Sequence, residues 1–252
     1  MSKQSGLGSN FYVGGYDLSN DTSALTSIRT PIAVQEVTGI DKFAVERILL
    51  QRDGAIDWVT WFNPAAGKAH PVLSALPTTD VEVSYFPGTG TAGPTVGNPA
   101  ASIIAKQVNY DGSRAQSGEF PFTVQTVANS FGLEWGVGLT PGISTVTGAA
   151  NGSSYDSGGS LSFGAQAYLH VFSFSGTDAT VTVQDSANNS AFTNVTGLGF
   201  TQITAAPTSE RLATTATATI RQYLRVAVTT SAGFTSLGFA VNLVKNPIST
   251  LF

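Results

Sequence analysis

Apolar residues in this chain recur at every second position, in short runs separated by turn formers, and a pattern of that kind buries one face only as β-strand. The alternation is cleanest near the C-terminus. There Leu224, Val226 and Val228 oppose Tyr223 and Arg225, and Leu237, Phe239, Val241 and Leu243 oppose Ser236 and Asn242. The 27 Gly and 11 Pro supply the punctuation. The reading is all-β with very little helix, and 252 residues suffice for one or two domains with a real core. Charged residues make up 11% of the chain, less than half the usual share of about 25%. That excludes a coiled coil and a charge-rich disordered tail.

From the N-terminus, residues 1–30 set Phe11, Tyr12 and Tyr16 among Gly, Ser, Asn and Asp without a sustained period, which suits an extended arm. Segments 43–50 and 55–62 flank Asp53-Gly54, a strong hairpin signal. Asn63-Pro64 starts a short helix, most secure over 71–76. A strand over 80–86 runs into the Gly/Pro-rich loop 87–99, and loops of that length inside a compact domain are usually functional or disordered. A second strand pair is expected over 101–110 and 119–128. Residues 31–140 therefore read as a small β-barrel or sandwich with one helix. Residues 141–159 have linker composition, and 160–252 read as a second β-sandwich.

The search for reactive groups excludes most chemistry. No Cys exists, so disulfides, thiolate nucleophiles and Cys-ligated metals are impossible. Two histidines, His70 and His170, cannot make a three-histidine zinc site, and both read as packing or capping residues. Gly88-Thr-Gly90-Thr-Ala-Gly93 matches a dinucleotide fingerprint by letter, but Pro94 and Pro99 forbid the helix that would hold the pyrophosphate. No G-x-S-x-G elbow occurs. Asp57 and Glu82 are the best carboxylate couple for glycoside hydrolysis, although solvated strand-face acids are commoner. The segment 109–113 reads as a plain turn, since a complete calcium loop needs a later bidentate Glu. The expectation is no enzyme, no cofactor and no metal. Net charge is −4, carried by residues 1–155, and no two basic residues are adjacent, so a grip on duplex DNA is not expected. No signal peptide or apolar run long enough for a membrane span occurs, so the chain is expected to be soluble and cytoplasmic when made, with no membrane partner.

Several stretches, in order, carry a resemblance: VTGIDK, ERILLQRDGAIDWVTWFNPAAGKAHPVLSALPT, VSYF followed by a Gly-rich loop and GNPAA, AKQVNYD, GLEWG at 132–136, and FGAQAYLHVFSFSGTDATVTVQDS. Taken together, the chain resembles the major tail proteins of long-tailed phages that infect actinobacteria. The resemblance implies a virion tail subunit that forms a homo-oligomer of stacked hexameric rings, with other tail proteins at the tube ends and viral DNA passing through the lumen without specific binding. On that reading Asp57, Asp80 and Glu82 line the lumen and repel DNA. Phe11, Tyr12 and Tyr16 of the arm, with Gly88, Gly90 and Gly93 of the loop, make assembly contacts and become ordered only in the tube. The alternative is a virion surface or receptor-binding protein whose C-terminal sandwich takes carbohydrate.

Overall fold

A computed structural model of the chain describes residues 5–90 and 92–249; expectations for residues 1–4, 91 and 250–252 lie outside them. The strands are β1 Asn10–Val13, β2 Tyr16–Asp17, β3 Thr22–Arg29, β4 Ile32–Glu36, β5 Arg47–Arg52, β6 Ala55–Trp61, β7 Val81–Phe86, β8 Pro99–Gln107, β9 Asp111–Gly112, β10 Pro121–Val124 and β11 Thr126–Ala128. They continue with β12 Glu134–Gly138, β13 Ser144–Val146, β14 Ala150–Asn151, β15 Tyr155–Asp156, β16 Ala165–Ser175, β17 Ala179–Ser186, β18 Thr193–Gly199, β19 Thr208–Ala213, β20 Tyr223–Thr230 and β21 Ser236–Lys245. One short helix, α1 Ala69–Leu73, lies between β6 and β7. The protein is all-β, as the alternation requires.

A ten-stranded sheet in the order β19-β16-β21-β12-β8-β7-β1-β2 forms the spine, with β11 and β13 as side branches. Alternation gives it two chemically different faces. Outward from β7 and β8, Val83, Ala101, Ile103 and Ala105 join Ile56, Trp58 and Val124 of the sheet β3-β6-β10-β9, together with Leu73 of α1, in one core. Outward from β16 and β21, Ala167, Leu169, Val171, Phe239, Val241 and Leu243 join Val181, Val183, Leu224 and Val226 of β17 and β20 in a second core. Among the described residues no helix is long and apolar enough to cross a membrane.

The spine sheet curls until its ends meet. β2 reaches β16 and β19 reaches β7. In the β1–β2 turn, the Gly14 N–H donates to the Glu82 carbonyl at 2.8 Å and the Gly15 N–H to His170 Nδ1 at 3.2 Å. Only glycine fits this seam. Gly15 has φ +84°, and a Cβ there would lie 2.6 Å from the backbone N and O of Thr208.

Two expectations change at the level of organisation. β12 pairs with β8 on one side and β21 on the other, so a single sheet runs through both halves of the chain. The stretch read as a linker is stitched into place, β13 on β21 and β14 and β15 on β20. Its small polar residues reflect short edge strands rather than slack. Asp53-Gly54 is not a hairpin turn either. β5 pairs with β4, whereas β6 pairs with β3 and β10. Asp53 donates its N–H to the Pro31 carbonyl, and a Cβ on Gly54 would collide with Leu133, so the glycine marks a close crossing between two sheets.

Candidate functional site

The feature that departs most from ordinary packing is the ribbon of β4 and β5 with its connection 37–46. Every residue of both strands is exposed. Nine large apolar side chains stand in solvent: Ile32, Val34, Val37, Ile40, Phe43, Val45, Ile48, Leu49 and Leu50, with Ile40 and Phe43 fully exposed at the tip. Apolar residues occupy both faces, as the consecutive Ile48, Leu49 and Leu50 require of a strand whose successive side chains point opposite ways. Among the described residues no other segment covers the outer part of the ribbon, where Val34, Ile40, Phe43, Val45 and Leu49 are each more than half exposed. The ribbon departs from the expectation that 43–50 pairs with 55–62 across Asp53-Gly54, since β5 pairs with β4 instead. The signal was present in the apolar triplet, which demands cover on two sides.

The residues expected to make assembly contacts lie elsewhere. Phe11 and Tyr12 are buried in this chain's own cores, Phe11 edge-on to Trp58 with ring centroids 4.8 Å apart and Tyr12 against Phe86 and Phe172. Period two failed to show in so short a strand, yet β1 pairs in register with β7 over its whole length. Tyr16 is half-buried in β2. Gly88 is buried against Leu7 and Gly8, where a Cβ would collide, and Gly90 donates its N–H to the Leu7 carbonyl at 3.2 Å. The arm and the loop therefore order one another within the chain. Gly93 is exposed.

Of the three acids, two are interior. Asp57 is buried and accepts the Thr126 N–H at 2.9 Å. Glu82 is buried because curling of the sheet turns its face inward. Neither can line a channel. Asp80 is exposed and pairs with Lys106 at 2.8 Å, which together with Asn129 holds its carboxyl below the usual range.

The inner face of the curled sheet carries a polar chain. His170 Nε2 lies 2.9 Å from Ser84 Oγ, Ser84 Oγ lies 2.6 Å from Ser102 Oγ, and Asn242 Nδ2 donates to Ser102 Oγ at 2.8 Å. Glu82 Oε1 is 3.0 Å from His170 Nε2 without making a hydrogen bond, and among the described residues neither carboxyl oxygen has a hydrogen-bond partner. Burial pushes the Glu82 carboxyl well above its usual range and the His170 imidazole down to about 3. At one end Arg211 makes a two-pronged bond to Glu134, with contacts of 2.9–3.1 Å, and its guanidinium centre stands 3.7 Å from the centre of the Phe131 ring. Tyr168 bonds to both Glu134 and Arg211. His70 packs among Phe62, Tyr110 and Phe122. β8 rather than a helix follows Gly88-Thr-Gly90-Thr-Ala-Gly93.

No family model matches the chain, and no curated protein matches it. Among solved structures, the chain is similar to the SPP1 Dit protein (gp 19.1), described as a paradigm of the hub adsorption apparatus in phages infecting Gram-positive bacteria. The identity is 12%, over 94% of this chain and 99% of that one, with a TM-score of 0.32. It is also similar to a chain from the tail of an empty GTA particle with C6 symmetry, at 14% identity over 47% of this chain and 85% of that one, with a TM-score of 0.31. Likeness at these scores is one of strand-rich make-up only.

Proposed function

We propose that this protein is a structural subunit of a phage-type tail, one that polymerises through its β4–β5 ribbon into stacked hexameric rings forming a tube for DNA. The exposed ribbon carries the reading. An isolated two-stranded hairpin is marginal in water, and an apolar one with unpaired edges invites pairing with another chain. Exposure of nine large apolar side chains on so small an element is a liability in a monomer and an asset in a polymer, where a neighbour covers both faces. The ordered resemblance to major tail proteins supplies the ring and tube. A net charge of −4 without adjacent basic residues suits a conduit that must not hold phosphate.

The test is negative-stain microscopy of the purified full chain beside the double substitution Ile40→Asp and Phe43→Asp. The reading expects rings or tubes from the parent chain and monomers with unchanged circular dichroism from the variant. A parent chain that stays monomeric at high concentration contradicts it.

A further inference from the structure

We propose that His170 is an acid-operated latch on the seam of the curled sheet: its Nδ1 lone pair holds the Gly14–Gly15 turn against β16, and a proton placed on that nitrogen releases the turn. The latch does not depend on the proposed tail role and follows from hydrogen-bond direction. A backbone N–H can only donate, so the 3.2 Å contact from Gly15 N makes His170 Nδ1 an acceptor and puts the ring hydrogen on Nε2, facing Ser84 Oγ and Glu82 Oε1. Protonation would set N–H against N–H at the one bond joining this turn to β16. The turn cannot shift to accommodate it, because Gly15 is already wedged against the Thr208 backbone and the Val171 carbonyl. Gly14, by contrast, is bonded to β7. The two adjacent glycines thus bridge the two edges of the seam, and only the Gly15 side depends on a titratable group.

The surroundings set the direction. Glu82 from β7 is the group nearest the imidazole, and its burial keeps it uncharged at the acidic pH where His170 gains a proton, so it offers no counter-ion. Arg211 of β19 carries positive charge at the same end of the interior, committed to Glu134 of β12, while Glu210 of β19 acts on Glu82 from farther off. Tyr12 of β1 and Tyr168 of β16 stay protonated, burial raising both. An imidazolium in this setting is unpaired and buried, a state that proteins relieve by opening. Release of the turn would free β1–β2 from the β16 side while leaving its pairing with β7, exposing the polar interior.

Hydrogen-exchange mass spectrometry of the full chain from pH 7 to pH 3 tests this, with amide rates corrected for intrinsic exchange and the imidazole C2 hydrogen followed as a reporter of His170 protonation. The expected result is loss of protection at residues 13–17 that grows by up to about tenfold per pH unit as pH falls from about 6.5, the free-imidazole value, toward the folded His170 value of about 3, while β16 and β21 stay protected. His170→Asn, which retains an acceptor near the Nδ1 position without a titratable group, should keep the turn protected at pH 3. Glu82→Gln should open as the parent does. If His170→Asn does not fold, the parent and Glu82→Gln profiles still decide. Protection at 13–17 that persists through His170 protonation, or opening abolished by Glu82→Gln, would overturn the proposal.

Discussion

At the residue scale the interior pair Glu82 and His170 governs how stability responds to pH, and the signs follow from the two displacements. Glu82 has its folded pKa raised above its unfolded value, so its contribution is fully present below about pH 4.3 and is lost as pH rises through the folded value. His170 has its folded pKa depressed to about 3, so stability is full above about pH 6.5 and declines as pH falls toward 3. For this pair the optimum lies between about pH 4.3 and 6.5. Glu82→Gln removes the alkaline branch and should raise stability at pH 8 by roughly 1–3 kcal/mol, checked by urea unfolding at pH 5 and pH 8. Equal effects at the two pH values would contradict the assignment. Gly15→Ala belongs to the same scale: a Cβ 2.6 Å from backbone atoms, at φ +84°, should cost at least about 2 kcal/mol. The sequence reads His170 as a packed mid-strand histidine, which β16 bears out, but sets Glu82 on an exposed strand face, whereas it is buried. Alternation says that two faces differ, and only closure of the sheet decides which of them is inside.

At the element scale two features bind or fail to bind the halves of the chain. Arg211 on β19, Glu134 on β12 and Tyr168 on β16 clamp three strands of the spine at one end, and the Arg and Glu side chains are only 6% and 15% exposed. Arg211→Met leaves the Glu134 carboxylate without its charge partner, held only by the Tyr168 hydroxyl, and should cost about 3–5 kcal/mol, whereas a conservative Arg211→Lys should cost less. Thermal unfolding of the two variants ranks them. β19 itself went unread because Ser209, Glu210 and Arg211 break the apolar alternation, Arg211 being neutralised by partners far along the chain. β20 and β21 were legible because each presents a continuous apolar face to one core. The ribbon β4–β5 was assigned to the wrong partner for a related reason. Asp-Gly is a turn signal in isolation, but here the glycine serves a crossing with Leu133, and register over distance is invisible to local pattern.

At the scale of the whole molecule the continuous spine makes the halves interdependent. Cutting after residue 155 would remove β16, β19 and β21, stripping β12 of one partner and exposing the polar interior. Such a fragment should be unfolded or aggregated by circular dichroism and gel filtration, although composition alone suggests an autonomous first domain. A well-folded monomeric fragment would show that pairing across β12 and β21 is dispensable. The ribbon stands apart, since none of its residues belongs to either core. Replacing residues 37–46 by Asn-Gly, a tight turn joining β4 to β5, should leave folding stability within about 1 kcal/mol of the parent. Electron microscopy of that variant beside the parent chain tests the central claim most directly. The account predicts rings or tubes from the parent and a folded monomer from the variant; tubes that form equally well without residues 37–46 would contradict it.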